Sequence, residues 1–147
     1  MNTLQINKIM QHDKFTKNLY IGTFAIDTLP KKIKYPSCMV INNQKSTHAG
    51  EHWIAIHYFR NKKAQFFDSF GHSPTFYGLE SYMKQTSNSY TYNSKKVQSI
   101  YSNYCGLYAI LFLFFKARYR SLEYFLKQFK NAKKNDILLE YLLKKYL

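Results

Sequence analysis

Hydrophobic and polar positions change their rhythm along this chain, and the changes mark out its elements. HWIAIHYF, His52 to Phe59, is an unbroken β-branched and aromatic run with no Gly or Pro, which predicts a strand. RNKK, Arg60 to Lys63, is polar and predicts a hairpin turn. AQFFDSFG follows as the partner strand and runs out at Gly71. SCMVIN, Ser37 to Asn42, predicts a short buried strand that leads into a polar loop, Asn43 to Glu51, turning near Gly50. Lys95 to Ile100 reads as one more short strand. Phe24 to Tyr35 reads as irregular, broken by Pro30 and Pro36, and Ser87 to Ser94 as a polar loop.

The helical segments have a longer period. CGLYAILFLFFKARY, Cys105 to Tyr119, is apolar nearly all round, as in a helix buried on most sides, and its length favours helix over strand. Ser121 to Lys130 places Leu122, Phe125, Leu126 and Phe129 on one stripe. Asn135 to Leu147 is expected to do the same with Ile137, Leu138, Tyr141 and Leu142. Pro74 to Gln85 predicts a helix with Ser73 as its cap and Pro74 in its first turn. Thr3 to Met10 predicts a short helix capped by Thr3. No repeat or low-complexity linker interrupts the chain, so residues 1–147 are expected to form a single domain. Central strands with helices towards the ends, and no βα alternation, predict an α+β fold.

Composition narrows the function classes. With 46% hydrophobic and 20% charged residues, the chain is globular rather than disordered. Two cysteines cannot make a disulfide scaffold or a four-cysteine zinc site, and no H-x-x-x-H helix or C-x-x-C pair exists, so no metal is expected. The apolar run from Cys105 to Phe115 is too short to span a membrane, and the N-terminus has no apolar signal core. An intracellular location, with reduced thiols and no membrane partner, is therefore expected. The net charge of +14 comes almost wholly from lysine, since Arg60, Arg118 and Arg120 are the only arginines. It is consistent with a lysine-rich solvated surface or with attraction to a polyanion such as DNA. The lysines of the last two helices, Lys127, Lys130, Lys133, Lys134, Lys144 and Lys145, oppose the apolar stripes and so are expected to face solvent.

Four residues carry candidate chemistry. Cys105 opens the buried helix, where unpaired N–H groups and the helix dipole favour a thiolate, and Gly106 keeps the approach to the sulfur open. A thiolate nucleophile needs an imidazole nearby, and His52 stands at a loop–strand junction. In a hairpin turning at Arg60 to Lys63, the start of the first strand lies beside the end of the second, so Asp68 is placed to orient His52. Gln98, just upstream of Cys105, can supply an amide to the oxyanion that forms in acyl transfer. Cys38, His12, His48, His57 and His72 are read as packing or surface residues.

GEHWIAI, FFDSFG and VQSIYSNYCGLYAILFL, in that order, resemble the adenain-like cysteine proteases, the adenovirus-type maturation proteases, which share a fold with Ulp1-type peptidases. The six residues between Gln98 and Cys105 resemble the adenovirus branch more than the modifier-protease branch, which typically has five. IGTFAIDTLP and SCMVINNQKSTHAGEHW are similar to the N-terminal portion of that branch. The resemblance implies a papain-like or adenain-like fold, a central mixed sheet flanked by helices, with the nucleophile at the start of a buried helix. It also implies His52 as general base, Asp68 as orienter, Gln98 as oxyanion donor and Cys105 as nucleophile.

The function so implied is a viral or virus-like-element cysteine endopeptidase. It would cleave capsid and core precursor proteins during virion maturation, after small, glycine-rich sites, in the virion, host nucleus or viral factory. The chemistry itself calls for no cofactor; the resemblance implies an activating peptide and DNA. No cysteine lies between Pro74 and Gln98, where a disulfide to such a peptide would be expected. Two other readings remain open at this point: a Ulp1-like protease that removes SUMO- or ubiquitin-like modifiers, and a non-catalytic basic module that binds nucleic acid.

Overall fold

The computed structural model describes residues 1–47 and 52–147. The loop residues His48 and Gly50, and the Gly-Glu that opens the GEHWIAI motif, lie outside the described residues. Five strands form one mixed sheet in the order β1-β2-β3-β4-β5. They are β1 (Tyr20–Ala25), β2 (Ser37–Asn42), β3 (Trp53–Tyr58), β4 (Lys63–Phe67) and β5 (Ser89–Tyr92). β3 pairs antiparallel with β2 on one side and β4 on the other, and each edge strand pairs parallel with its neighbour.

The two edge strands depart from the sequence reading. β1 takes Phe24 and Ala25 out of the segment expected to be irregular, and β5 lies within the Ser87 to Ser94 segment expected to be loop. Both are only partly buried, so neither shows the apolar alternation of a strand with one covered face. Lys95 to Ile100, by contrast, is not a strand. The backbone N–H groups of Val97 and Gln98 both donate to the Ser69 carbonyl, which folds this segment across the end of β4 rather than along it.

β3 carries the core on both of its faces, and all six of its residues are buried. Trp53 and Ala55 join the cluster beneath the long helix, while Ile54, Ile56 and Tyr58 join the opposite cluster. Helix α3 (Cys105–Ala117) lies against β3, and every residue in it except Leu107 is buried. This explains its all-round apolar sequence: the sheet takes one side, and α1 (Thr3–His12), α4 (Leu122–Lys127) and α5 (Asn135–Leu143) take others. The opposite sheet face is closed by Leu79 and Met83 and by Ile26, Leu29 and Ile33.

Several helix boundaries differ from expectation for identifiable reasons. The cap of α1 is Asn2, not Thr3: its side chain accepts from the Gln5 N–H at 2.9 Å while Gln5 returns a bond to the Asn2 N–H at 2.8 Å. The Pro74 to Gln85 helix is two pieces. Ser73 does cap the first, a 3-10 turn over Pro74–Tyr77, but Gly78 adopts φ 73° and ends it, and α2 (Glu80–Thr86) starts afresh. The stripe of α4 is as expected, with Leu122, Phe125 and Phe129 buried and Leu126 packed beside them. That of α5 is as expected only in part: Leu142 is buried and Leu138 packs beside the core, but Leu139 and Leu143 are buried whereas Ile137 and Tyr141 are exposed. Six of the nine residues of α5 are apolar, on every side of the helix, so periodicity alone could not choose its face.

β4 ends at Phe67, so Asp68 lies just beyond the strand rather than within it. Here the Asp68 N–H has no partner on β3. It donates to Asn93 Oδ1 at 3.1 Å, and Asn93 Nδ2 donates back to the Asp68 carbonyl at 2.6 Å. Gly71 follows with φ 79°, and a Cβ there would stand 2.7 Å from the Ser94 carbonyl oxygen. Only glycine fits that close approach.

Candidate active site

The site forms where three chain segments meet: the residue before β3, the turn after β4, and the first turn of α3. His52 and Asp68 are both buried, and His52 Nε2 lies 2.5 Å from Asp68 Oδ1. Nδ1 is the ring nitrogen that Asp68 leaves free, and Cys105 is close enough for its thiol and the imidazole to shift each other's pKa. The β3–β4 register ends at Ala55 opposite Phe67. Continued outward, it sets Phe70 across from His52, and the Phe70 ring does stack on the imidazole, centroids 4.8 Å apart and planes 26° from parallel. The carboxylate of Asp68 reaches back beneath it.

Asp68 is held on every side. Its Oδ1 also accepts from the Phe70 N–H at 3.1 Å, and Oδ2 accepts from the His72 N–H at 3.0 Å and the Tyr77 hydroxyl at 2.7 Å. Burial would raise the carboxyl's pKa, but the His52 hydrogen bond and charge, the Tyr77 hydroxyl and the Phe70 N–H together hold it below the ordinary value. It is an anion here. The same logic governs His52. Burial would lower its pKa, but the hydrogen bonds and charges of Asp68 and Cys105 outweigh this and push it up to about 9.

Cys105 is the first residue of α3, with Tyr104 before it making no side-chain cap. Burial would raise the thiol's pKa; the His52 hydrogen bond, the Trp53 and Gly106 backbone N–H groups and the His52 charge together lower it. Imidazole up and thiol down are the directions that favour an imidazolium–thiolate pair. Cys38, the other cysteine, is buried in β2, and desolvation alone drives its thiol far up. The two sulfurs have the same chemistry and opposite environments.

Gln98 is also buried close by, but it is not aimed at the sulfur. Its Oε1 accepts from Ser69 Oγ at 2.5 Å, and its Nε2 donates to the Ser102 carbonyl at 3.0 Å and Ser102 Oγ at 3.2 Å. Ser102 Oγ in turn donates to Asp136 Oδ1 at 3.0 Å and accepts from the Tyr104 N–H at 3.2 Å. Gln98 thus ties the residue after Asp68 to the loop before Cys105.

Sequence reasoning did not find Tyr77, Phe70 or Asn93. Tyr77 bonds Asp68 and lies roughly parallel to the His52 ring at 6.1 Å, yet it comes from a 3-10 turn that no motif marks. Trp53 was part of the quoted motif but was given no role. Its backbone N–H helps to lower the Cys105 thiol's pKa, and its ring lies 3.2 Å from where a Cβ on Gly106 would stand. Met1 crowds the same point at 3.1 Å, and its carbonyl accepts from the indole N–H at 3.3 Å. Beyond Trp53 opens a cavity of about 500 Å³ lined by Met1, Asn2, Phe24, Thr28, Asn42 and Gln44 among others. Among the described residues, no cluster of three or more His, Cys, Asp or Glu could hold a metal, and no helix is long and apolar enough to cross a membrane.

Comparison with solved structures finds the central domain of the uncharacterized Lpg1148 protein from Legionella pneumophila. It is 13% identical, with a TM-score of 0.55 over 99% of this chain and 94% of that one. At that identity the likeness is one of fold. No curated protein matches the sequence. The family model described as adenovirus endoprotease matches residues 28–137, a span that holds His52, Asp68, Gln98 and Cys105. That match takes in most of the chain, which therefore belongs to the adenovirus endoprotease family.

Proposed function

We propose that the protein is a viral cysteine endopeptidase that uses Cys105 as nucleophile, His52 as general base and acid, and Asp68 as the group that orients His52. The observation that carries this reading is the His52 ring, held between the Asp68 carboxylate and a thiol at the start of a buried helix. The pair is poised for acyl transfer. The Cys105 thiolate attacks the scissile carbonyl, and the His52 imidazolium passes its proton to the leaving amine. Water, deprotonated by the now neutral His52, then attacks the thioester and releases the acid. Asp68 stays ionised throughout and steadies the imidazolium.

The N–H groups at the start of α3 are the fixed donors for the oxyanion. Gln98 adds a further donor when its amide turns from Ser102 towards the sulfur, a short swing because Ser102 lies three residues before Cys105. Family resemblance implies cleavage after small residues, glycine above all. The cavity beyond Trp53 takes the peptide on one side of the sulfur.

Family membership implies protein substrates, and in this reading they are capsid and core precursors processed as particles mature. DNA acts as a sequence-independent partner through exposed lysines such as Lys127, Lys130, Lys133 and Lys134. The test is incubation with the precursors encoded beside this gene, with and without duplex DNA. Wild type should cut them and Cys105→Ala should not. Intact precursors with the wild-type enzyme under all conditions would contradict the reading.

A further inference from the structure

At the far end of α3 from Cys105 lies a second cavity, of about 350 Å³. Eleven residues of helix separate Lys116 from Cys105, so the two sites stand about 16 Å apart along the axis. Two buried nitrogen groups line it. Lys116 is 7% exposed and His57 is 6% exposed.

Neither nitrogen group is satisfied in the way a buried polar group ordinarily is. His57 Nδ1 has no hydrogen-bond partner. Lys116 makes no ion pair or hydrogen bond among the described residues, and its ammonium stands 4.8 Å from the centre of the Phe59 ring. Burial and the Lys116 charge together depress the pKa of His57, and burial depresses that of Lys116, with Glu123 a weaker opposing influence. Within the protein the Lys116 charge meets only the face of the Phe59 ring and the carbonyl end of α3, which favour a cation without neutralising it. The site is left short of an anion.

The remaining walls say what kind of anion fits. Leu19, Pro36 and Ala117 are apolar, and Arg60 and Arg120 stand exposed at the rim. The volume lies at the small end of the range for ligand pockets, about 300 to 1,000 Å³. We propose that the Lys116–His57 cavity is a binding site for a small organic carboxylate with an apolar or aromatic body. One carboxylate oxygen accepts from Lys116 Nζ and the other from His57 Nε2–H, the ring nitrogen that is not sealed from the cavity, and the body packs against Leu19, Pro36 and Phe59. A monoanion matches the single buried cation, whereas a dianion such as a phosphomonoester would strip a second charge of water with no deep partner to receive it. The carboxylate can belong to a free small molecule or to the last residue of a peptide.

This inference is independent of the proteolytic reading, and its test needs no activity. Phenylacetate is titrated into wild-type protein by calorimetry, with His57 ring signals followed by NMR. Benzyl alcohol serves as a neutral control. An acetylated dipeptide ending in leucine and its C-terminal amide separate the two sources. Saturable binding of phenylacetate with shifted His57 signals is expected, at least about tenfold tighter than benzyl alcohol. Lys116→Met keeps the stem of the side chain and removes the buried charge, so it should fold and weaken binding at least about tenfold. Arg120→Gln should weaken it about twofold. Binding of the peptide acid but not its amide, tighter than phenylacetate, would assign the site to peptide ends; the reverse order would assign it to free carboxylates. Absence of saturable phenylacetate and peptide-acid binding to wild type would overturn the proposal, as would equal affinity for the alcohol or unchanged affinity in Lys116→Met.

Discussion

Two histidines five residues apart on one stretch of chain have been driven in opposite directions. His52, just before β3, and His57, near its end, are equally buried, at 7% and 6% exposure. Desolvation acts on both alike and favours the neutral ring. His52 has a buried carboxylate on one ring nitrogen and a thiol within reach of the other, and its pKa rises to about 9. His57 has an unpartnered Nδ1 and a cationic neighbour in Lys116, and its pKa falls to about 3. The lesson is that burial does not decide what a histidine does. The charge it is buried beside decides it, and here that charge is negative at the Cys105 end of α3 and positive at the Lys116 end.

The largest test of the contrast is turnover. His52→Ala and Cys105→Ala should each lower kcat by at least about 10⁴-fold on a cleavable peptide, the scale seen when a member of a catalytic unit is removed. His57→Phe should leave kcat within about threefold, since it is remote from the sulfur. A comparable loss from His57→Phe would break the comparison outright. Gln98→Ala comes next. If its amide reaches the oxyanion, kcat should fall about 100- to 1,000-fold with little change in KM. An unchanged kcat would confine Gln98 to tethering Ser69 and Ser102.

Stability against pH separates the two rings by sign. His52 has a folded pKa above the ordinary 6.5, so its contribution is fully present below pH 6.5 and is lost as pH rises through about 9. His57 has a folded pKa below 6.5. Its neutral ring carries no penalty above that pH, and the fold loses stability as pH falls from 6.5 towards about 3. Urea unfolding across both windows should therefore show a steeper acid loss for wild type than for His57→Phe, by a few kcal/mol in total. The alkaline loss should shrink in His52→Gln. Matching slopes for wild type and His57→Phe below pH 6 would mean that His57 is not held neutral.

A smaller effect sharpens the negative end. Tyr77→Phe removes one of the donors to Asp68 but leaves His52, Phe70 N and His72 N in place. Activity should drop about tenfold or less, and the limb at which activity declines in alkali should move as the carboxylate loses a partner. A shift in that limb separates an effect on the titrating pair from a simple packing defect.

The sequence carried the contrast only in part. His52, Asp68 and Cys105 were legible together because their order, their spacing and the hairpin between them all point to one place. His57 was not legible as anything but packing, because its neighbour Lys116 lies far along the chain in an apolar helix. Tyr77 and Asn93 were hidden for a similar reason: each acts through a hydrogen bond to Asp68 across a turn that carries no periodic signal. The same holds for the fold. β3 and α3 are buried on both sides and announce themselves, whereas β1 and β5, half-exposed at the sheet edges, share their pattern with loops. In α5, an excess of apolar residues concealed the buried face rather than revealing it.

The account rests most heavily on Cys105 being a thiolate because His52 is an imidazolium beside it. The most direct measurement is the rate of alkylation by iodoacetamide at each cysteine from pH 4 to 10, read by peptide mass spectrometry in wild type and His52→Ala. The account predicts that Cys105 reacts at least about 100-fold faster than Cys38 at pH 6. Its titration should inflect well below the ordinary thiol range and move up when His52 is removed. Equal rates at the two cysteines, or a Cys105 profile that His52→Ala leaves unchanged, would contradict it.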